Sequence, residues 1–244
     1  MTRPISMVVA AAVALALSLP AAAQEAEIRK TLAERLPGMN KIDEINPTSV
    51  PGLFEVRIGA EVFYADATGN HLLKGELIDT KSKRSLTKER LDKINAVDFA
   101  TLPLSDAITL VRGDGQRKLA VFADPNCGYC KRLERDLKSV DNVTVYLFLY
   151  PILGADSIQK ARNIWCSADK AMAWDSAMTK DQVPSTSTCD STAVDRNVAF
   201  GRKHRIAGTP TLVFADGSRG RGALTAQQIV QRLGPARPEF MPAH

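Results

Sequence analysis

Two cysteines separated by two residues, Cys127 and Cys130, constrain the fold of this 244-residue chain more than any other feature. The apolar segment Leu119–Ala123 before them predicts a short buried strand, and Asp124–Asn126 predicts a turn. The segment after them has apolar residues at i, i+4 and i+7, the spacing of one helical face: Leu133, Leu137 and Val140. The two thiols are therefore expected at a strand–turn–helix junction.

The position of Cys127 at the start of the predicted helix favours the thiolate over the thiol. Unpaired N–H groups give a helix N-terminus partial positive charge, and Lys131 and Arg132 add positive charge nearby. Two thiols at this spacing are within reach of forming and breaking one disulfide. The motif predicts a thioredoxin-like redox site.

Two other interpretations of the pair are a zinc site and an inert structural disulfide. A zinc site needs a second pair at metal spacing, but Cys166 and Cys189 are far apart and the three histidines are scattered: His71, His204 and His244. A disulfide that closes a two-residue loop removes little unfolded-state entropy. Redox chemistry without a metal or cofactor is the favoured interpretation, and four cysteines still permit three pairings.

The first 23 residues predict an export signal. Arg3 supplies positive charge, Met7–Leu17 is unbroken and apolar, and Pro20–Ala23 resembles a small-residue cleavage site. The apolar stretch is shorter than the about 20 residues that span a bilayer, although an uncleaved anchor is the alternative. We expect a mature chain that begins at Gln24 in an oxidising compartment, where disulfides persist.

The formal net charge of the whole chain is +5, but its basic residues are interleaved with acidic ones. Such a surface is mixed and solvated, and it does not have the basic stripe of a nucleic-acid-binding protein. We therefore predict no nucleic-acid partner.

Residues 24–85 predict a small α+β domain. A helix is expected over residues 25–36, with Leu36 on its apolar face and Pro37-Gly38 as its end. Three short strand-like runs follow: Leu53–Ile58, Val62–Tyr64 and Leu72–Leu73. A unit of about 55 residues has a marginal core, so we expect it to pair with a second copy.

Residues 86–104 predict a helical linker, because a charged helix with a thin apolar stripe is typical of a connector. A surface helix of one continuous domain is the alternative.

Residues 105–244 predict β-α-β, a helical insert and β-β-α. Within them, Gly113–Gly115 predicts a hairpin-like pairing of its flanking strands, Val143–Tyr150 predicts a central strand covered on both faces, and Thr225–Gln228 predicts a capping box.

Two motifs in this order, Phe122–Leu133 and Gly208–Phe214, resemble the thioredoxin-fold domain of DsbC-type thiol:disulfide interchange proteins. Phe63–Asp79 resembles the dimerisation domain of that family. The resemblance implies an α+β N-terminal dimerisation domain plus an α/β thioredoxin-like domain with a helical insert.

The resemblance also implies roles for individual residues. Cys127 matches the attacking cysteine and Cys130 the resolving one. Thr209-Pro210 matches the dipeptide whose proline is cis and whose backbone pairs with a substrate strand. Cys166 and Cys189 match the second, structural pair of the family.

The function implied is a homodimeric periplasmic protein disulfide isomerase that rearranges incorrect disulfides of exported proteins through a reduced pair. Its electrons would come from a membrane reductase of the DsbD type. Val121 stands where thioredoxin has a buried acid, which favours an isomerase or oxidant over a reductase, and Asp124 is expected to form a turn. The alternatives are a dithiol oxidase of the DsbA kind and a periplasmic holdase chaperone.

Overall fold

The computed structural model describes residues 21–39, 41–185 and 188–235. Residues 1–20 of the predicted export signal lie outside these ranges, and residues 21–23 belong to the first helix. Within the described ranges, no helix is both long and apolar enough to cross a membrane. The chain divides into two compact units, of which the first ends at Leu91 and the second begins at Asp92.

The first unit packs one helix, α1 (Ala21–Arg35), with an antiparallel sheet of four strands in sequential order. The strands are β1 (Glu44–Pro47), β2 (Leu53–Ile58), β3 (Glu61–Asp66) and β4 (Leu72–Leu73). Buried apolar residues from the helix and the sheet form one core: Ile28, Leu32, Ile42, Ile45, Phe54, Val56, Phe63 and Ala65. The prediction that Leu36 lies on the apolar face of this helix is wrong, because the helix ends before Leu36 and 40% of the residue's surface is exposed.

A two-stranded ribbon and a short helix follow this sheet along the chain. The strands are β5 (Ile78–Asp79) and β6 (Arg84–Ser85), and the helix is α2 (Leu86–Ile94). Two 3₁₀ turns, Phe99–Thr101 and Leu104–Asp106, complete the segment that the sequence predicted as a linker.

In its described residues, the second unit contains a sheet in the order β10-β9-β7-β8 and, after α2, five helices. Its strands are β7 (Ile108–Ala123), β8 (Val143–Leu149), β9 (Thr211–Phe214) and β10 (Arg219–Arg221). Its helices are α3 (Gly128–Leu137), α4 (Ala155–Trp165), α5 (Lys170–Lys180), α6 (Thr192–Lys203) and α7 (Ala226–Leu233). Helices α4 to α6 are the insert between β8 and β9, and the predicted capping box of Thr225 and Gln228 opens α7.

The predicted hairpin around Gly113–Gly115 is wrong. The first part of β7, Ile108–Arg112, runs antiparallel to β8, and the second part, Gln116–Ala123, runs parallel to it. Both parts of β7 therefore pair with β8 and not with each other. Gly113, at φ +59°, lies at this crossover, where an added Cβ would be 2.2 Å from the side chain of Asn142.

Strands β7 and β8 bury apolar residues on both faces, as the continuous apolar run of β8 predicted. Because side chains alternate across a strand, successive residues enter two different cores. Leu119 and Val121 belong to the core that also contains the two site cysteines, whereas Ala120 and Phe122 belong to the core of Tyr150. The end of β7 is held on both faces, and it is the point from which the chain enters α3.

Candidate active site

Cys127 and Cys130 lie where the chain turns from β7 into α3. Cys127 is the N-cap of the helix, with an extended backbone at φ −80° and ψ 116°. Its carbonyl accepts from the N–H groups of Cys130 and Lys131 at 3.0 and 3.1 Å, and its own N–H donates to the carbonyl of Asp124 at 3.1 Å. These bonds fix the helix start at the first cysteine, as the sequence pattern predicted.

The two thiols are free and occupy different environments. Cys127 sits at the positive end of α3, which favours negative charge, and 6% of its surface is exposed. Cys130 lies inside the first turn with 2% of its surface exposed, and burial raises the pKa of its thiol. At neutral pH, Cys130 is therefore a neutral thiol beside the more accessible Cys127.

A loop 82 residues further along the chain lies against the first cysteine. The Sγ of Cys127 is 3.3 Å from the carbonyl oxygen of Thr209, and the Thr209–Pro210 peptide is cis. The hydroxyl of Thr211 donates to the Gly208 carbonyl at 2.7 Å, and the N–H of Gly222 donates to the Pro210 carbonyl at 2.9 Å. The structure thus brings together the two motifs that the resemblance singled out.

Asp124 does more than form the predicted turn. Its carboxylate accepts from the N–H of Asn126 at 2.8 Å, as a turn former does. It is also fully buried, and it accepts from the N–H groups of Ile152 and Leu153 at 2.7 and 2.9 Å and from the Ser157 hydroxyl at 2.8 Å. Four donors satisfy one buried carboxylate, which ties the turn before Cys127 to the segment after β8.

The side chain of Asn126 extends this hydrogen-bond network from the turn to the start of α4. Its amide donates to Asp156 at 2.7 Å and to Ser157 at 3.0 Å, and its oxygen accepts from Lys160 at 2.8 Å. Lys160 and, next, Asn126 lower the pKa of Asp156 through these contacts. No sequence pattern indicated this network, because its members lie in turns and on α4 and no periodicity connects them to the cysteines.

Glu134 is a second buried polar group near the pair, one helical turn after Cys130. It is 5% exposed, accepts from the indole N–H of Trp174 at 3.0 Å and pairs with Arg112 at 3.1 Å. Val121 is 2% exposed. The position where thioredoxin has a buried acid therefore contributes an apolar side chain to the core.

The other two cysteines, Cys166 and Cys189, form a disulfide with each other. Cys166 is the C-cap of α4, and the indole N–H of Trp165 donates to the carbonyl of Asp190 at 3.2 Å beside the bridge. Among the described residues, no group of three or more histidine, cysteine, aspartate or glutamate side chains could hold a metal ion.

Family comparisons match both parts of the chain. Residues 104–236 match the model of a thioredoxin-like domain, and residues 19–88 match that of the disulfide bond isomerase protein N-terminal domain. The first match covers the cysteine pair and the Thr209–Pro210 loop.

Known proteins similar to the chain include thiol:disulfide interchange proteins. A probable DsbC of Bordetella pertussis is 44% identical over 206 residues, which cover 84% of this chain and 73% of the relative. DsbC of Dickeya dadantii is 31% identical over 230 residues, with 90% of each chain covered. The crystal structure of a disulfide interchange protein from Neisseria gonorrhoeae is 40% identical and superimposes with a TM-score of 0.52, covering 54% of this chain and 96% of that one.

Proposed function

This chain belongs to the DsbC-type thiol:disulfide interchange proteins, and from that premise we propose how its own residues rearrange disulfides. Its activity is that of a protein disulfide isomerase, a thiol–disulfide oxidoreductase. The observation that supports the division of roles is the unequal environment of the two thiols. Cys127 is the attacking cysteine, and Cys130, whose pKa burial raises, is the resolving one.

The reaction begins with the Cys127 thiolate. It attacks one sulfur of a substrate disulfide, the substrate S–S bond breaks, and the other substrate sulfur leaves as a thiolate. A different substrate thiolate then attacks the mixed disulfide, forms a new substrate disulfide and releases Cys127 as the thiolate. Each of the two steps breaks one S–S bond and forms one, so no net oxidation occurs. The pair must enter the cycle reduced, because only a free Cys127 thiolate can attack.

Cys130 provides the escape route. When rearrangement stalls, its thiol loses a proton and attacks the Cys127 sulfur, which releases reduced substrate and leaves a Cys127–Cys130 disulfide. Since only the thiolate attacks, burial of Cys130 slows this step and lengthens the time available for rearrangement. The oxidised pair then needs an external electron donor, for which we propose a membrane reductase of the DsbD type.

The substrate is held by backbone pairing at Thr209-Pro210. The Thr209 carbonyl is already 3.3 Å from the Cys127 sulfur, so a strand that pairs with this loop presents its half-cystine to the attacking atom. Tyr129, between the two cysteines, is 67% exposed and offers apolar surface to an unfolded chain.

The remaining parts of the proposal concern the setting of the reaction. We expect a periplasmic homodimer that acts on misfolded, disulfide-containing exported proteins after signal cleavage near Ala23. The N-terminal domain over residues 24–85 pairs two copies, residues 86–104 link it to the catalytic domain over residues 105–244, and the Cys166–Cys189 disulfide is structural. The comparisons do not favour the DsbA-like oxidase or a holdase without exchange activity.

Reactivation of scrambled, fully oxidised ribonuclease by the pre-reduced protein tests this function. We expect activity from the wild type, none from Cys127→Ala, and trapped mixed disulfides from Cys130→Ala, because intramolecular release is lost in that variant. Gel analysis after alkylation detects the trapped species. A protein that oxidises reduced ribonuclease efficiently but cannot reactivate the scrambled form would be an oxidase, and the proposal would be wrong.

A further inference from the structure

Arg219 is a buried cation that has no compensating anion among the described residues. It is 8% exposed, and its Nε is buried without a hydrogen-bond partner in the described structure. None of the ion pairs among the described residues includes it. An unpaired buried charge is costly in a folded protein, so a group that supplies a negative charge here would be favourable.

The charged residues that shift the pKa of Arg219 are themselves cations. Burial first, and then Arg221 and Arg205, lower the pKa of Arg219 to about 10, so it still carries its charge at neutral pH. Arg219 and Arg221 are i and i+2 on β10 and therefore share one face of that strand. Burial and the charges of Arg219 and Lys203 also lower the pKa of His204, as expected in a region of positive potential.

These arginines line a cavity of about 150 Å³ together with the loop at the attacking cysteine. The cavity wall includes Gly208, Thr209 and Pro210 as well as Arg205, Arg219 and Arg221. A water molecule occupies about 30 Å³ in the liquid, and pockets for whole ligands span about 300–1,000 Å³. The space therefore fits a small anionic group and is too small for a complete ligand.

We infer that the cavity lined by Arg205, Arg219 and Arg221 is an anion subsite that takes a carboxylate of the polypeptide substrate. An aspartate or glutamate close to the half-cystine under attack supplies it. This inference rests on the proposed function, because the same loop supplies the cavity wall and the Thr209 carbonyl at 3.3 Å from the Cys127 sulfur.

The geometry of an extended backbone allows a substrate side chain near the half-cystine to enter the cavity. An extended chain rises about 3.3 Å per residue, so side chains within three residues of the half-cystine extend along the loop to the cavity. A guanidinium donates in a planar fork that matches a carboxylate, and such charge-assisted bonds are the stronger kind. The subsite thus selects among substrate disulfides by the acidity of their flanking sequence.

A set of disulfide peptides tests the inference. Each peptide carries one Asp at a single position within three residues of the half-cystine, and its partner carries Asn there. The rate of reduction by pre-reduced full-length protein is measured for each pair and divided by the rate with dithiothreitol, which removes the intrinsic effect of the charge on the disulfide. We expect the wild type to prefer the Asp peptide by about 10-fold at the best position.

Three variants locate the preference. Arg219→Gln and Arg221→Gln should each reduce the Asp preference to about twofold or less, and Arg221 is exposed, so its variant remains informative if Arg219→Gln fails to fold. Arg135→Gln, an exposed arginine on α3, removes the same charge and should leave the preference unchanged. Equal preference for Asp and Asn in the wild type, or an equal loss in Arg135→Gln, would overturn the inference.

A small thiol could also supply the carboxylate, and oxidised glutathione used as a substrate distinguishes this source from a polypeptide. If the arginine variants slow its reduction while the peptide preference is absent, the subsite serves a small thiol and the polypeptide assignment is wrong. Failure of the proposed function looks different, because exchange with both peptides of every pair would then be lost.

Discussion

At the scale of single residues, the site depends on groups that surround the cysteines. Asp124 is fully buried, and four donors hold its carboxylate three residues before Cys127. Cys130 is nearly as buried, and its burial distinguishes it chemically from Cys127. Position in the fold therefore gives two identical side chains unequal environments, which supports the different roles that we propose for them.

Replacing Asp124 with Asn should destabilise the protein by about 1–3 kcal/mol, because one amide NH₂ would face N–H groups that now donate to oxygen. Urea unfolding of the reduced protein measures the change. Asp136→Asn, at a half-buried position on α3, is the matched control and should stay within about 0.5 kcal/mol of the wild type. An unchanged midpoint in the Asp124 variant would show that the anchor is not needed for folding.

The stability of the reduced protein should fall as pH rises above the ordinary cysteine pKa of 9.0. Burial raises the pKa of Cys130 in the folded state, so the unfolded chain loses this proton first and binds fewer protons than the native protein. The free energy of unfolding then decreases with pH, by up to about 1.4 kcal/mol per pH unit for one group.

Urea unfolding at pH 7 and at pH 10 under reducing conditions measures this slope. Cys130→Ala should unfold with a shallower pH dependence than the wild type over the same interval, since that group no longer titrates. Identical slopes for the two proteins would contradict the burial effect.

At the scale of elements, close packing behind the cis-proline loop fixes the position of the site. Gly201 on α6 lies against the ring of Tyr150, whose hydroxyl donates to the carbonyl of Ile206 at 2.8 Å. An added Cβ at Gly201 would lie 2.3 Å from that ring. Tyr150 also follows β8 directly, so one aromatic side chain connects the sheet, α6 and the segment that leads to Thr209.

Gly201→Ala should therefore destabilise the protein by about 1–3 kcal/mol, although alanine in a helix ordinarily gains about 1 kcal/mol over glycine. The clash outweighs the propensity because the ring is fully buried and cannot move aside. Thermal unfolding measures the change. Gly38→Ala is the control, since an added Cβ there meets nothing within 4 Å, and a stabilised Gly201 variant would show that the helix can shift.

At the scale of the whole molecule, two units with separate cores match two different family models. The core cluster of the N-terminal unit contains eight buried apolar residues among those that the structure describes, a small number for an independent domain. A second copy of the chain would bury further apolar surface and would place two Cys127 thiols in one assembly.

The mature protein should therefore sediment with twice the chain mass at micromolar concentration. A chain that begins at residue 105 should be monomeric, should still reduce small disulfides, and should reactivate scrambled ribonuclease poorly. A monomeric full-length protein would refute the pairing, and full reactivation by the truncated chain would show that pairing is not needed for isomerisation.

The sequence alone determined the local features of this protein. Apolar periodicity and turn residues predicted the strand, turn and helix around Cys127, the strands Leu53–Ile58 and Leu72–Leu73, and the cap at Thr225, because each depends on neighbours within a few residues. The resemblance then supplied the pairing of distant motifs, which spacing cannot give.

Tertiary structure decided the rest, because the remaining features depend on contacts between residues far apart in the chain. The local sequence Gly113–Gly115 predicted a hairpin, but both segments that flank it pair with β8. Asp124 read as a turn residue, and only the fold brings three further donors to it. In the sequence, Arg219 is one of many basic residues interleaved with acidic ones. It becomes buried beside the Thr209 loop only when β10 pairs with β9 in the folded sheet. Burial and hydrogen-bond partners are properties of the assembled chain, which is why no local pattern could reveal them.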